Sequence, residues 1–375
     1  MRARCGLLVA LTVGLLLTGC SENEPPSQPG GKSAANVDSP RVGRSPAGPA
    51  DEAPGQGSSR TDVPETAAAE ERERAVAPVS VLGLAEQEHR GDRLRIGSVR
   101  QRTPEYTSYN VTYRSRTSTG KRRESYTISG VLNVPRGPGR FPAVVLAHGY
   151  IDPAVYVRGQ GMTRERGYLA ARGYIALHVD YRNHAQSDDD PRYQTRMRLG
   201  YSADVINAVK ALRTSGDVPV DDARVALFGR SMGGGVILKA LAAAPGLVQA
   251  AAPWAAVSSL EAENYEQFIR PDPEDSGLRE ELARRFGTPQ QAPSFWRQNS
   301  SRPYFDRITE PVLMVHGRFD DTCPPRWAAA TQRALTRAGV DSRLEWYDDG
   351  HAFGPSFYAA MNRTVRFFDR RLGIR

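Results

Sequence analysis

The sequence predicts an α/β domain with a mostly parallel, doubly wound sheet and helices on both faces. Short, nearly continuous apolar runs recur between residues 143 and 347, and such runs are typical of strands that are buried on both faces. Apolar residues at helical spacing lie between or after these runs, as in residues 205–212 and 357–372. Alternation of this kind also predicts that active residues lie at the carboxyl ends of the strands.

The predicted elements follow one another in a simple order. Residues 109–113 and 126–134 alternate apolar and polar side chains and are joined through Gly120, which indicates an antiparallel pair. Six buried strands are then predicted at residues 143–147, 174–179, 224–228, 248–252, 311–315 and 343–347. Residues 258–305 interrupt this rhythm, because they are polar and proline-rich around one helical stretch at 278–286. We predict that residues 258–305 form a small cap.

Composition divides the chain into three parts. Residues 1–19 begin with two arginines and continue as an apolar run that is too short to span a bilayer, which indicates a signal peptide. Residues 20–78 contain 32 Pro, Gly, Ser and Ala among 59 positions and have no aromatic residue, so they cannot build a core. We therefore predict a disordered linker over residues 20–78 and one folded domain over residues 79–375.

The end of the signal peptide carries a specific motif. Residues 17–20, Leu-Thr-Gly-Cys, resemble a bacterial lipoprotein signal. The resemblance implies cleavage before Cys20, acylation of its thiol, and an extracytoplasmic protein that is lipid-anchored to the bacterial cell membrane. An ordinary secretory signal with a chance cysteine is the alternative. Loss of Cys5 with the signal and lipidation of Cys20 would leave Cys323 alone, so no intramolecular disulfide is expected.

The charge of the chain argues against one class of partner. The formal net charge is +8, and only four of the 50 basic residues are lysines. The arginines are spread over the domain and form no basic run with interleaved aromatic residues, so we expect no nucleic-acid binding. The basic surface is interpreted either as arginines that are simply solvated or as a surface weakly attracted to an anionic cell envelope. The sequence does not fix the oligomeric state.

A nucleophile motif lies at a predicted turn between a strand and a helix. Residues 229–233, GRSMG, fit the GxSxG pattern between a buried strand that ends at Phe228 and a helix that begins near Gly234. The flanking glycines allow the sharp turn that lifts the Ser231 hydroxyl above the sheet. A glycine-rich phosphate loop is the alternative, but neither GxGxxG nor a Walker motif is present.

A serine hydroxyl needs a base, and the base needs a carboxylate that orients it. Asp320 lies just past the predicted strand at 311–315, and His351 lies just past the strand that ends at Tyr347. Both positions are at the strand ends where Ser231 is also expected. The pattern predicts a Ser231, Asp320 and His351 triad, with Asp321 as the alternative orienting acid.

With these motifs in place, residues 109–375 resemble an α/β-hydrolase, and in particular the catalytic domain of the prolyl oligopeptidase family. That family's GxSxGG, HGxxDxxxP and DGHxF patterns correspond to the segments around Ser231, Asp320 and His351. The resemblance implies a serine hydrolase that works through an acyl-enzyme without a cofactor. Cys323 stands where the pattern usually has valine, and we interpret it as a small buried apolar residue.

Developing negative charge on the reacting carbonyl requires fixed hydrogen-bond donors. Residues 146–150, Leu-Ala-His-Gly-Tyr, resemble the oxyanion loop of compact esterases with the same fold. The resemblance implies that Tyr150 and Met232 donate their backbone N–H groups to the oxyanion. His148 is expected to brace the loop rather than to catalyse the reaction.

Four further residues are candidate substrate contacts. His184 follows a predicted strand and is expected to overhang the site, and the predicted cap supplies the aromatic residues Phe268, Phe295 and Trp296. The three consecutive acids at 188–190 lack the spaced oxygen ligands of a calcium loop, so no metal is predicted.

The substrate class stays open between esters and peptides. Small or aryl esters are favoured because their hydrolysis needs less substrate positioning. In addition, the prolyl oligopeptidases that this domain resembles have a β-propeller that restricts them to short peptides, and residues 79–375 are too few to contain one beside the catalytic domain. Glu261 and Glu263 are the only evident acids that could hold a peptide N-terminus, so short peptides are the second candidate. An acyltransferase, which would use the same triad but transfer the acyl group to an alcohol instead of water, is less favoured. A non-catalytic binding module is also less favoured, since such proteins usually lose a triad member and all three are present here.

Overall fold

A computed structural model of the chain describes residues 77–374, which form one nine-stranded sheet flanked by helices. The predicted signal peptide, Cys20 and nearly all of the predicted linker lie outside the described residues. The strands are β1 (Glu88–Arg102), β2 (Tyr106–Thr119), β3 (Arg122–Pro135), β4 (Phe141–Ala147), β5 (Ile175–Val179), β6 (Val220–Arg230), β7 (Ala250–Trp254), β8 (Val312–Gly317) and β9 (Ser342–Tyr347). The helices are α1 (Val81–Ala85), α2 (Thr163–Ala170), α3 (Leu199–Arg213), α4 (Met232–Ala243), α5 (Glu261–Asn264), α6 (Ser276–Phe286), α7 (Pro293–Gln298), α8 (Pro325–Arg337) and α9 (Phe357–Arg371).

The strand order is β1-β2-β3-β5-β4-β6-β7-β8-β9. The first three strands and the β3–β5 pair are antiparallel, and every pair from β5 to β9 is parallel. In the middle of the sheet, Val145 of β4 lies opposite Leu177 of β5 and Leu227 of β6. The carboxyl ends of the parallel strands therefore meet at one edge. The predicted fold class is confirmed, and all six predicted strands form. The strand predicted at 343–347, β9, lies at the edge of the sheet and is only partly buried.

Strands β4, β5, β7 and β8 and the second half of β6 are buried on both faces, which explains their continuous apolar sequences. Along β4, Val145 packs in the core layer that contains α3 and α4, whereas Val144 and Leu146 pack in the opposite layer with α2 and α9. Successive side chains of a strand point to opposite faces, so both faces of β4 require apolar residues. Within residues 77–374, no helix combines the length and the apolar composition needed to cross a bilayer.

Strand β1 is an element that the sequence patterns do not predict. It lies at the edge of the sheet and pairs only with β2 among the described strands. Its first half packs on α3, where a Cβ on Gly91 would overlap the carbonyl group of Asn207. From Arg95 onward every residue of β1 is exposed. A half-exposed edge strand needs no alternating apolar face and therefore leaves no clear period in the sequence.

Candidate active site

The backbone at Ser231 is held in a strained turn between β6 and α4. Ser231 has φ 56° and ψ −122°, and a positive φ is uncommon for a residue other than glycine. Its N–H group donates to the carbonyl of Trp254 at 2.9 Å, and its own carbonyl accepts from the N–H of Gly234 at 2.9 Å. These bonds maintain the conformation that projects the hydroxyl from the sheet edge.

The glycines of the motif allow this turn to pack against the neighbouring strand. A Cβ on Gly229 would overlap the carbonyl oxygen of Gly233, and a Cβ on Gly233 would overlap the carbonyl oxygen of Ala147 at the end of β4. Larger residues at either position would push α4 away from the sheet. The sequence pattern thus has a direct steric cause.

Asp320 and His351 form a close pair across two loops. The His351 Nδ1 atom lies 2.9 Å from Asp320 Oδ2 and 3.0 Å from Oδ1. The carboxylate is buried and also accepts the backbone N–H groups of Thr322 at 3.0 Å and Cys323 at 2.8 Å. Asp321 is exposed, and among residues 77–374 its side chain bonds only the Thr322 hydroxyl. The structure therefore brings Asp320, and not its neighbour, to the imidazole.

Ser231 and His351 line the same cavity of about 580 Å³. Within residues 77–374, the hydrogen bonds of the His351 imidazole go to Asp320, and none joins it to the Ser231 hydroxyl. Hydrogen bonds between a nucleophile and its base are often long without substrate and tighten when substrate binds. The arrangement is compatible with proton transfer from Ser231 to His351.

The two predicted oxyanion donors lie beside Ser231 and are unpaired. Gly149 packs so closely on the turn that a Cβ at this residue would lie 3.2 Å from the Ser231 Cβ atom. Tyr150 and Met232 both line the cavity. Within residues 77–374, neither backbone N–H group donates to any acceptor. Both groups are thus free to stabilise an oxyanion.

His148 braces the oxyanion loop from below. His148 is fully buried, and its Nδ1 atom lies 2.6 Å from the Gly149 carbonyl oxygen. The Tyr181 hydroxyl donates to the backbone carbonyl of His148 at 3.1 Å. Burial, reinforced by the nearby His184, lowers the pKa of His148 to about 3. The imidazole is therefore neutral near pH 7.

The structure does not place His184 at the cavity, so the expected substrate contact is wrong on geometric grounds. The side chain is 1% exposed, and its two ring nitrogens lie 3.0 Å from the Arg182 carbonyl oxygen and 3.3 Å from that of Ile151. The turn after β5 contains residues with positive φ, including Tyr181 and Asn183. These conformations direct the imidazole inward, under the loop.

The cap contributes one of its three predicted aromatic contacts. Phe268 lines the cavity, but Phe295 stacks on Phe286 with ring centres 4.1 Å apart. Trp296 is buried, contacts Tyr265, and donates its indole N–H to the Gly287 carbonyl at 3.1 Å. Phe295 and Trp296 thus pack against other cap residues, and neither lines the cavity at Ser231.

Residues from several separate elements complete the cavity. Its apolar wall includes Ile151, Met197, Met232, Val236, Val257, Phe268, Ile269, Leu278 and Leu282. The cap residue Glu261 is paired with Lys239 at 2.9 Å. Arg198 lies between the side chains of Tyr150 and Met232, 4.9 Å from the Tyr150 ring centre and 3.9 Å from the Met232 sulfur. Met232 and Phe268 are predicted from the sequence, whereas no sequence signal marks Arg198 or most of the other lining residues, because elements distant in sequence bring them together.

The three consecutive acids at 188–190 are used in other contacts. Asp190 is buried beside the guanidinium groups of Arg182 and Arg196, each at 3.4 Å. Asp188 accepts the backbone N–H of Thr127. Across residues 77–374, no group of three or more His, Cys, Asp or Glu side chains has a geometry that could hold a metal ion.

A serine on a strand-to-helix turn, a paired acid and histidine, and two free backbone donors define a serine hydrolase with the α/β-hydrolase fold. Residues 161–375 match the model of the prolyl oligopeptidase family, and the chain belongs to this family. Dipeptidyl peptidase 4 of Felis catus is 28% identical over 214 residues, which cover 53% of this chain and 26% of that protein. Prolyl endopeptidase FAP of Homo sapiens is 31% identical over 192 residues, which cover 48% and 23% of the two chains. This chain therefore spans about a quarter of the length of these relatives.

Solved structures of both esterases and peptidases share the fold. Acetyl xylan esterase 1 from Thermoanaerobacterium sp. JW/SL YS485 superposes with a TM-score of 0.57 at 19% identity, over 77% of this chain and 90% of the esterase. Acylaminoacyl peptidase from Pyrococcus horikoshii superposes with a TM-score of 0.52 at 18% identity, over 74% of this chain and 56% of the peptidase. At these identities the superpositions establish the fold alone.

Proposed function

We propose that the chain hydrolyses carboxylic esters with small or aryl acyl groups. The observation that carries this proposal is the apolar wall beside Ser231, which the cap closes with Phe268, Leu278 and Leu282. Such a wall suits an uncharged acyl group. The Glu261 carboxylate is already paired with Lys239, so it is not free to hold a peptide N-terminus.

The proposed reaction proceeds through an acyl-enzyme. His351 accepts the Ser231 proton while Ser231 Oγ attacks the ester carbonyl, and Asp320 keeps the imidazole oriented through Nδ1. The backbone N–H groups of Tyr150 and Met232 stabilise the oxyanion. The intermediate collapses as His351 returns the proton to the leaving alcohol. Water, deprotonated by His351, then releases the carboxylic acid in the same manner.

Hydrolysis of matched substrates tests this assignment. We expect kcat/KM on short p-nitrophenyl esters to exceed that on alanyl or prolyl anilides by at least roughly tenfold, which corresponds to ~1.4 kcal/mol of transition-state stabilisation. Ser231→Ala serves as the control that both activities belong to one site. Comparable or faster hydrolysis of the anilides would make peptidase activity the primary function.

Short-peptide hydrolysis is the second candidate, and a specific group at the cavity rim favours it. Asp275 is half-buried beside the exposed Asp272 and lines the cavity, and burial raises the pKa of Asp275 while Arg198 opposes the rise. This carboxylate is suitably placed to accept hydrogen bonds from the N-terminal ammonium group of a bound peptide. If it does, Asp275→Asn weakens hydrolysis of anilides with a free N-terminus and leaves N-acetylated anilides unchanged.

We further propose that the enzyme is extracytoplasmic and lipid-anchored through Cys20. The Leu-Thr-Gly-Cys motif at residues 17–20 after a short apolar run supports this proposal. Such an anchor would keep the hydrolase at the membrane surface while residues 20–78 act as a tether.

A further inference from the structure

A second cavity, of about 540 Å³, lies where the exposed half of β1 meets the loop between β4 and α2. Its wall includes Val99 and Arg100 from β1, Val157 and Arg158 from the loop, and Arg166 from α2. None of its lining residues lines the cavity at Ser231, and none is an aspartate or glutamate. The wall therefore carries three arginines without a lining acid.

These arginines retain unused hydrogen-bond donors. Arg166 is 5% exposed, and its Nη1 atom donates to the Gly159 carbonyl at 3.0 Å, but its Nε atom has no partner among the described residues. The Nε atom of Arg158 is likewise buried without a hydrogen bond, and its nearest acid is Asp180 at 4.0 Å. A buried donor without an acceptor is costly. The cavity thus offers buried cationic donors to an anion.

Electrostatic repulsion among these arginines also favours binding of an anion in the cavity. Burial lowers the pKa of Arg166, and the neighbouring charge of Arg100 lowers it further. Arg100 donates to a neutral group, the Asn110 side-chain oxygen, at 2.9 Å, and forms no ion pair with an acid in the described part of the chain. Three guanidinium groups with no acid on the wall suit a phosphate group, whose several oxygens accept bidentate hydrogen bonds from arginine.

Apolar side chains surround this basic cavity. Val99 and Val157 line it and are 42% and 65% exposed, and Val155 in the same loop is 68% exposed. Because Val99 and Val157 line one cavity, this exposed apolar surface is grouped rather than scattered, and grouped apolar surface marks interaction sites. Valines next to arginines match the boundary of a bilayer, where headgroup phosphates lie beside acyl chains. Free phosphate would make no use of the valines.

We propose that this surface, formed by Val99, Arg100, Val157, Arg158 and Arg166, docks the domain on an anionic phospholipid bilayer, with one headgroup phosphate in the cavity. The valines enter the interface between headgroups and acyl chains. The proposal is independent of the ester assignment and of acylation at Cys20. It adds a contact between the folded domain and the membrane to any N-terminal anchor.

Vesicle binding by the full chain tests the proposal. We compare wild type with Arg100→Ala/Arg158→Ala on vesicles of phosphatidylcholine with and without phosphatidylglycerol, at low ionic strength. Since each basic residue near an anionic surface contributes to binding, the double variant should bind the phosphatidylglycerol vesicles at least about tenfold more weakly. Val157→Asp should also weaken vesicle binding, and hydrolysis of a soluble ester should stay unchanged in all variants.

A charge-matched control separates docking from general attraction. Arg366 and Arg370 are exposed on α9 and line neither cavity, so Arg366→Ala/Arg370→Ala should lower vesicle binding by less than about threefold. An equal loss in this control would overturn the proposal. If Arg158→Ala does not fold, Arg100→Ala/Val157→Asp takes its place, because it leaves the neighbour of Asp180 intact.

Inorganic phosphate distinguishes a lipid site from a free-anion site. Phosphate should compete with vesicles for wild type and should have no such effect on residual binding by the double variant. If phosphate raises the unfolding temperature through Arg100 and Arg158 while the variants bind vesicles as wild type does, the site serves a free anion and the lipid assignment is wrong. Equal vesicle binding by all variants would also overturn it.

Discussion

Ser231 combines a strained backbone with an accessible hydroxyl, and its role can be tested by removing one oxygen. Alanine keeps the Cβ atom and the bonds of the Ser231 N–H and carbonyl groups, so Ser231→Ala should fold normally. Because a fluorophosphonate reagent requires an activated hydroxyl, we expect labelling to disappear and ester hydrolysis to fall by at least about a thousandfold. Circular dichroism checks the fold. Labelling that persists on another serine would contradict the assignment.

Adjacent acids with different surroundings provide a matched pair of substitutions. Asp320 is 4% exposed and contacts the His351 imidazole, whereas Asp321 is exposed. Asp320→Asn should lower kcat by about four orders of magnitude, since the orienting acid fixes the imidazole tautomer. Asp321→Asn should remain within about threefold of wild type, because surface substitutions away from such contacts have small effects. A larger loss in the Asp321 variant would move the orienting role by one residue.

At the scale of the element, the oxyanion loop depends on a histidine that stays neutral. The pKa of His148 falls from 6.5 to about 3 on folding, chiefly through burial. Below pH 6.5 the His148 imidazole is therefore protonated in the unfolded chain, whereas in the folded chain it stays neutral down to about pH 3. The stability that His148 supports is complete above pH 6.5 and is lost as the pH falls toward 3.

The His148→Gln variant measures this contribution. Glutamine does not titrate, so between pH 7 and pH 5 the variant should lose about 2 kcal/mol less unfolding free energy than wild type. Urea unfolding at the two pH values provides the comparison. Identical losses in wild type and variant would show that His148 is protonated in the folded state.

At the scale of the whole molecule, the proposed anchor and the folded domain should act separately. Cys20 lies far in sequence from the described domain, which begins at residue 77. Cys20→Ser should abolish incorporation of a palmitate analogue and shift the protein from the membrane to the soluble fraction, with activity on soluble esters unchanged. At high salt the shift should be complete, because salt screens surface attraction. Acylation that persists in the variant would contradict the anchor.

The sequence predicted the parts of this protein that depend on local pattern. Strands β4 to β8 were predictable because burial on both faces requires continuous apolar residues. Strand β9 also forms as predicted, but it lies at the sheet edge and is only partly buried. The motifs around Ser231, Asp320 and His351 were predictable because each lies directly after a strand, and parallel strands end at one edge of a sheet. The resemblance to the prolyl oligopeptidase family rested on these same segments and was confirmed by the family match.

Only the tertiary structure decided which side chains face the cavity. His184 follows a strand as expected, but backbone turns with positive φ bury it under the oxyanion loop. In the cap, α7 turns Phe295 and Trp296 toward Phe286 and Tyr265 and leaves the cavity to other residues. Strand β1 and the arginine cavity also had no sequence signal. The physical reason is that a local period reports burial, whereas the direction of a buried side chain depends on how segments distant in sequence pack together.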